Sequence, residues 1–332
     1  MRGPGTRAGH RHRGRLLIPL AEIEAARKRI ADVAIRTPLV RLQAPESAAE
    51  IWLKLECLQP IGSFKIRGAA NAIRSAAPGA IAGGVVTTSA GNMAQGVAWI
   101  AREEGVPATI IAPEHAPQTK LDAIERLGGT VIKVPFERWW QAMEEGGYPG
   151  VEGHFVHPVM DDAVMAGNGT IGLELVEDLG AIDTVLVPWG GGGLTTGIAS
   201  ALAVLSPATR VIACEPETGA PLAASLAAGE AVPVDYLPSF VDGAGSKGLL
   251  GPMWELARPL LAGSHTVTLD ETAAAVRLLA ERSRVIAEGA GALSVAAALS
   301  GRAGAGRIVC IVSGGNIDAS RLTAILEGHT PG

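Results

Sequence analysis

From about residue 17 onward, short and nearly continuous apolar runs alternate with longer stretches in which apolar residues recur every three or four positions. The short runs are residues 51–55, 84–88, 108–112, 130–134, 184–188, 210–215 and 307–312. They are rich in Val and Ile and read as strands buried on both faces. Residues 93–104, 118–127, 170–179, 194–205, 271–286 and 292–299 read as helices. This alternation predicts an α/β protein of open, twisted parallel sheets with helices on both faces. A break over residues 154–169 separates two such series, so two sheet domains with a cleft between them are expected. The large domain is expected over residues 17–80 and 159–328, and the small one over residues 81–158. Residues 1–16 carry Arg2, Arg7, Arg11, Arg13 and Arg15 among glycines and read as a disordered basic tail.

Open parallel sheets bind ligands beyond the carboxyl ends of their strands, where the chain turns into the next helix. Behind residues 84–88 stands Ser89-Ala90-Gly91-Asn92. Behind residues 184–188 come Trp189 and then Gly190-Gly191-Gly192-Gly193, and behind residues 307–312 comes Ser313-Gly314-Gly315-Asn316. Three such turns at equivalent places predict one composite site. The glycine run offers several backbone N–H groups at a helix start, which suits a phosphate; a tight turn needing positive φ is the plainer alternative. No Lys-Ser/Thr follows, so it is not a Walker loop. The true G-x-G-x-x-G matches, residues 167–172 and 243–248, follow no convincing strand, which disfavours a dinucleotide.

Lys65 lies beside Phe64 in Gly62-Ser63-Phe64-Lys65-Ile66-Arg67-Gly68 and opens a helix. On its own it reads as a solvated helix-face lysine. Desolvation in that apolar stretch would instead lower its pKa toward a reactive free amine. Together with a phosphate cradle it points to a Schiff base with a phosphorylated aldehyde cofactor.

Composition trims the alternatives. The 332 residues hold 28 basic and 33 acidic side chains, a net charge of −5 that argues against a nucleic-acid binder. No apolar run approaches the roughly 20 residues that cross a bilayer, so no membrane is expected. Cys57, Cys214 and Cys310 are far apart with no C-x-x-C, which fits a reducing cytoplasm better than a disulfide scaffold or zinc site.

GSFKIRGA, SAGNMAQGVA, VPWGGGGLTTGIA and SGGN, in this order and spacing, resemble the pyridoxal-phosphate enzymes of the tryptophan-synthase-β fold. The likeness is greatest to threonine dehydratases and serine racemases and runs from about residue 21 to residue 326. It implies pyridoxal 5'-phosphate as cofactor, attached to Lys65, which would later shuttle the Cα proton. It puts Phe64 beside the ring, Asn92 at the ring hydroxyl, and Gly190, Gly191, Gly192 and Gly193 with Leu194 at the phosphate. Ser313 would meet the pyridine nitrogen, where a neutral hydroxyl limits the electron sink and suits β-elimination. Gly243 would flank the ring, and Glu288 would lie near the cofactor, with a helix-start carboxylate as its structural alternative. Ser89, Ala90, Gly91 and Asn92 would receive the substrate carboxylate, with Met93 and Val159 in the same pocket. The implied reaction is loss of water from a β-hydroxy amino acid, L-threonine or L-serine by default, giving a 2-oxo acid and ammonia. A cytoplasmic homodimer is implied as well.

Several positions depart from the family pattern. Met93 stands where histidine is usual, and Val159 where phenylalanine is usual. A dehydratase of 3-hydroxyaspartate or phenylserine and a β-replacement synthase therefore stay open, as does a non-catalytic amino-acid-binding module. Serine racemases carry a second serine where this chain has Ala90, which argues for elimination over racemisation. Glu215 matches a metal-site glutamate of some relatives, but proline takes the place of the later aspartate, so no metal is expected. Arg138, Trp139 and Trp140 form a further unusual cluster; with Met93 and Val159 it leaves a bulkier or more apolar β-substituent than threonine's methyl open, while core or domain-interface packing of the two tryptophans is the favoured reading.

Overall fold

The computed structural model describes residues 17–332 apart from Pro45, so the expected tail, residues 1–16, lies outside the described residues. The strands are β1 (Leu39–Arg41), β2 (Ala49–Lys54), β3 (Val85–Thr88), β4 (Ala108–Pro113), β5 (Gly129–Val134), β6 (His154–Phe155), β7 (Thr184–Pro188), β8 (Arg210–Pro216), β9 (Gly263–Val267) and β10 (Gly306–Ile311). They form a six-stranded sheet in the order β1-β2-β10-β7-β8-β9 and a four-stranded sheet in the order β5-β4-β3-β6. Every pairing is parallel except β1 on β2. The protein is thus α/β with two open sheets, and each strand read from an apolar run is present to within two residues.

The strands that the apolar pattern did not show are edge pieces. β1 and β6 are three and two residues long, and β9 (GSHTV) is half-buried over most of its length. An edge strand has one flank on water and lacks the unbroken Val/Ile signature.

Two helices differ from expectation for identifiable reasons. The helix expected at residue 170 begins at Asp162, with the Asp161 carboxylate accepting from the Ala163 N–H. Gly167-Asn168-Gly169 reads as a breaker, yet these glycines sit mid-helix at close crossings. A β-carbon on Gly167 would fall 2.4 Å from the Arg67 carbonyl oxygen, and one on Gly169 would fall 2.9 Å from that of Gly197. The first G-x-G-x-x-G match is therefore a helix-packing surface. The helix expected over 271–286 is Leu269–Leu278 followed by a π turn, Leu279–Ser283. Arg284 (φ 57°) then reverses the chain, which delivers Glu288 to the start of the helix Gly289–Leu299.

The six-stranded sheet is covered on both faces, by Leu293, Val295 and Val276 on one and by Ile171, Ile198 and Leu202 on the other. The helix Lys65–Ser75 buries Ile66, Ala69 and Ile73 in one cluster with Val85 and Ile110 of the four-stranded sheet. It also lies against the helix Asp162–Leu179, so it joins the two sheet units. No helix among the described residues is long and apolar enough to cross a membrane.

Candidate active site

The carboxyl ends of β3, β7 and β10 converge on a cavity of about 360 Å³ between the sheet units. Each residue that the resemblance places at cofactor or substrate lines it: Phe64 and Lys65, Ser89 through Met93, Val159, Gly190 through Leu194, Gly243, Glu288 and Ser313. Lys65, the first residue of its helix, is aimed there by the turn that precedes it, in which the Phe64 N–H donates to the Ser313 carbonyl oxygen at 3.0 Å. Its Nζ donates to the Pro158 carbonyl oxygen at 2.9 Å and stands 5.2 Å from the centre of the Phe64 ring. Burial pushes the ammonium pKa down to about 8, against the nearby Glu288 charge. About a tenth of the amine is therefore uncharged at pH 7, far more than for an ordinary lysine.

The glycine turn is built so that only glycine fits. Gly192 has φ +95°, and a β-carbon on Gly191 would fall 2.6 Å from Val159 Cγ2. On Gly193 it would fall 2.6 Å from the Val159 carbonyl oxygen. The helix Gly193–Leu205 starts here, so its first N–H groups, which have no partner within the helix, lie at the cavity. Across from it, Gly91 caps the helix Asn92–Glu103. Two helix starts thus meet one cavity, one suited to a phosphate and one to a carboxylate.

Glu288 is 7 % exposed and accepts from Asn92 Nδ2 at 2.9 Å. Burial, reinforced by the Asp242 charge, pushes its carboxyl up to about 7, against the Lys120 charge and the Asn92 hydrogen bond. Asn92 Oδ1 in turn accepts from Asn316 Nδ2 at 2.7 Å.

Other participants were not legible beforehand. Lys120 Nζ meets Asp242 Oδ2 at 2.7 Å, pairing the helix Gln118–Arg126 with the loop before Gly243, and both residues line the cavity. Trp139, by contrast flagged from the sequence with packing favoured and a bulkier substrate pocket left open, lines the cavity as well as packing its ring on Phe136 and Trp140. Two residues past Lys65, Arg67 is 1 % exposed and holds Glu56 at 2.8 Å and Glu174 at 2.6 Å. Lys54 Nζ joins Glu174 at 2.6 Å. Burial would raise the Glu56 carboxyl, but the Arg67 charge and hydrogen bond outweigh it and hold the group low. No local signal marked this network: at helical spacing Arg67 shares a face with Asn71 and Arg74 and reads as solvated.

At the position matched to a metal ligand, Glu215 spends both oxygens inside the protein. They accept from the Leu222 and Ala223 N–H groups at 2.9 and 2.8 Å and from Ser264 Oγ at 2.6 Å. Among the described residues no cluster of His, Cys, Asp and Glu could hold a metal ion.

The residues present fit pyridoxal 5'-phosphate: a half-buried amine, a side-chain-free turn at a helix start and a neutral hydroxyl, Ser313, share one cavity. Comparison with known proteins agrees. The chain is 39 % identical over 320 residues to an L-threonine ammonia-lyase of Thermotoga maritima, covering 94 % of this chain and 79 % of that one. It is 37 % identical over 322 residues to a catabolic L-threonine dehydratase of Staphylococcus aureus, covering 94 % and 92 %. Maize serine racemase superposes with a TM-score of 0.82 at 33 % identity, covering 93 % of this chain and 96 % of that one. Residues 30–314 match the family described as pyridoxal-phosphate dependent enzyme, and with Lys65 and the glycine turn facing one cavity the chain belongs to that family.

Proposed function

We propose that this lyase removes water from a β-hydroxy amino acid, L-threonine or L-serine, and releases a 2-oxo acid and ammonia. The observation that carries the reading is the Lys65 amine, half-buried in the cleft and facing the glycine turn and the Ser89–Asn92 turn, with its pKa lowered to about 8. The named activity of the relatives at 37–39 % identity supports it.

When bound, pyridoxal 5'-phosphate supplies the electron sink that makes the α-proton of an amino acid acidic. The N–H groups of Gly190 to Leu194 would hold its phosphate, Phe64 and Gly243 would flank its ring, and Ser313 would meet its ring nitrogen. The Gly91–Asn92 helix start receives the substrate carboxylate, so the α-carbon is presented to Lys65 Nζ. That amine, uncharged in part at neutral pH, takes the α-proton. Ala90, on the same turn, has no proton to give back from the opposite side, which favours elimination over racemisation.

We further propose that the active unit is a cytoplasmic homodimer and that the two sheets divide the chain near residues 80 and 159, with the small domain between them. Light scattering of the purified protein checks the first point.

The decisive experiment measures ammonia and 2-oxo acid release by cofactor-loaded protein across L- and D-threonine, L- and D-serine, 3-hydroxyaspartate and phenylserine. Turnover of L-threonine or L-serine supports the reading. Silence on both, with turnover of a bulkier or acidic substrate, assigns the Met93 and Val159 pocket to another dehydratase.

A further inference from the structure

Asn92 faces the cavity, but its orientation is set from behind. An asparagine carboxamide can be turned over, exchanging its oxygen and its –NH2, and only its partners decide which way it lies. Asn316 Nδ2 donates to the Ile61 carbonyl oxygen at 2.9 Å. A backbone carbonyl only accepts, so that end of Asn316 must be the –NH2. The same Nδ2 lies 2.7 Å from Asn92 Oδ1, which must therefore be the oxygen. The –NH2 of Asn92 is left pointing the other way, where it donates to Glu288 Oε1 at 2.9 Å.

We propose that Asn316 is a positioning residue that fixes which way the Asn92 carboxamide faces, keeping amide hydrogens rather than a carbonyl oxygen turned toward the cofactor. Reversing Asn92 alone would set two –NH2 groups against each other on one side. On the other it would lose the donation to Glu288 and set a carbonyl oxygen against that carboxyl whenever it is ionised, while the Asn316 contact is repulsive at any pH. Asn316 is itself prevented from turning. The Gly315 N–H donates to the Gly62 carbonyl oxygen at 2.9 Å, pinning the backbone beside it. Its Oδ1 lies over Gly62, where a β-carbon would come within 2.6 Å. The last asparagine of SGGN thus acts on the cofactor through Asn92 and is not itself a catalytic residue.

The inference rests on the cofactor assignment and not on the substrate, and the test keeps the two apart by using no amino acid. Pyridoxal 5'-phosphate is titrated into cofactor-free wild type, Asn316→Ala, Asn92→Ala and the double variant, following the visible absorption of the bound cofactor. Asn316→Ala is expected to weaken binding about tenfold in the wild-type background and by less than about twofold where Asn92 is already alanine, because groups acting through one contact are not additive. Asn316→Asp keeps the side-chain size but can only accept, so Asn92 turns toward it and binding falls at least as far as in Asn316→Ala. Equal losses in the two backgrounds, or wild-type binding by Asn316→Asp, would overturn the proposal. Should Asn316→Ala not fold, Asn316→Asp measured in both backgrounds decides the same question.

Discussion

Lys65 Nζ donates to the carbonyl oxygen of Pro158 at 2.9 Å, so the amine at the head of one helix is tethered to the segment that leads back into the large sheet. The tether keeps the amine in place, and burial keeps its pKa near 8. Replacing Lys65 with Ala should abolish turnover and the visible band of attached cofactor; either surviving would remove the lysine from the chemistry. Capture of pyridoxal 5'-phosphate by the cofactor-free protein should quicken as pH rises through about 8 and then level, since only the neutral amine attacks. Stopped-flow absorbance across that range reads it directly.

The same burial makes Lys65 a burden on the cofactor-free fold. Its pKa is lowered on folding from 10.5 to about 8, so the folded state is penalised in full below pH 8 and the penalty fades as pH rises to 10.5. Lys65→Met should therefore raise the stability of the cofactor-free protein at pH 7 by roughly 1–3 kcal/mol, with the gain vanishing above pH 10.5. Urea unfolding at pH 7 and pH 10.5 measures both ends.

Val159 touches the glycine turn in two different ways, and double variants can separate them. Gly191→Ala puts its new methyl against Val159 side-chain atoms, at 2.6 and 2.7 Å, whereas Gly193→Ala strikes the Val159 carbonyl oxygen. Both should cost cofactor affinity, by about tenfold or more, since overpacking of this kind costs 1–3 kcal/mol. Adding Val159→Ala should recover most of the loss in Gly191→Ala and little in Gly193→Ala. Equal recovery would mean that the turn moves as a unit.

Much of this site was legible because its chemistry sits in contiguous turns at the ends of strands that announce themselves as apolar runs. Ser89 to Asn92, the glycine run and Ser313 each lie within a few residues of such an end, whereas Lys65 opens a helix well beyond β2 and was legible through its motif. What stayed hidden depends on pairs far apart in sequence. Lys120 and Asp242 are 122 residues apart, and Asn316 and Asn92 are 224 apart. On an amphipathic helix Lys120 looks like any solvated lysine, and nothing local names its partner. The fold shows the same division: β3, β4, β7 and β10 are central and stand out, while the edge strand β9 is half polar and does not.

Arg67 should matter more for folding than its two-residue distance from Lys65 suggests. It is one of four buried charged groups, with Lys54, Glu56 and Glu174, tying the Lys65 helix to β2 and to the helix Asp162–Leu179. Arg67→Met leaves two buried carboxylates short of a cation and should destabilise the protein by about 3–5 kcal/mol. Replacing Glu174 with Gln keeps the shape and some hydrogen bonding and should cost less. Denaturant midpoints for the two variants, compared at pH 7, give the ranking.

Glu288 carries the clearest pH signature. Its folded pKa is raised from 4.5 to about 7, by burial first and then by Asp242, so the folded protein favours the protonated carboxyl. The stability this brings is fully present below pH 4.5 and is lost as pH rises to about 7. Glu288→Gln, a fixed mimic of the protonated form, should match wild type below pH 4.5 and exceed it increasingly up to pH 7. Thermal unfolding of the cofactor-free proteins across that window checks the sign. Because Glu288 accepts from Asn92, the same titration should reach the cofactor. The wild-type visible spectrum should change near pH 7 and the Glu288→Gln spectrum should not. A spectral step at pH 7 that survives the substitution would move the titration to another group and leave Glu288 as a helix-start carboxylate alone.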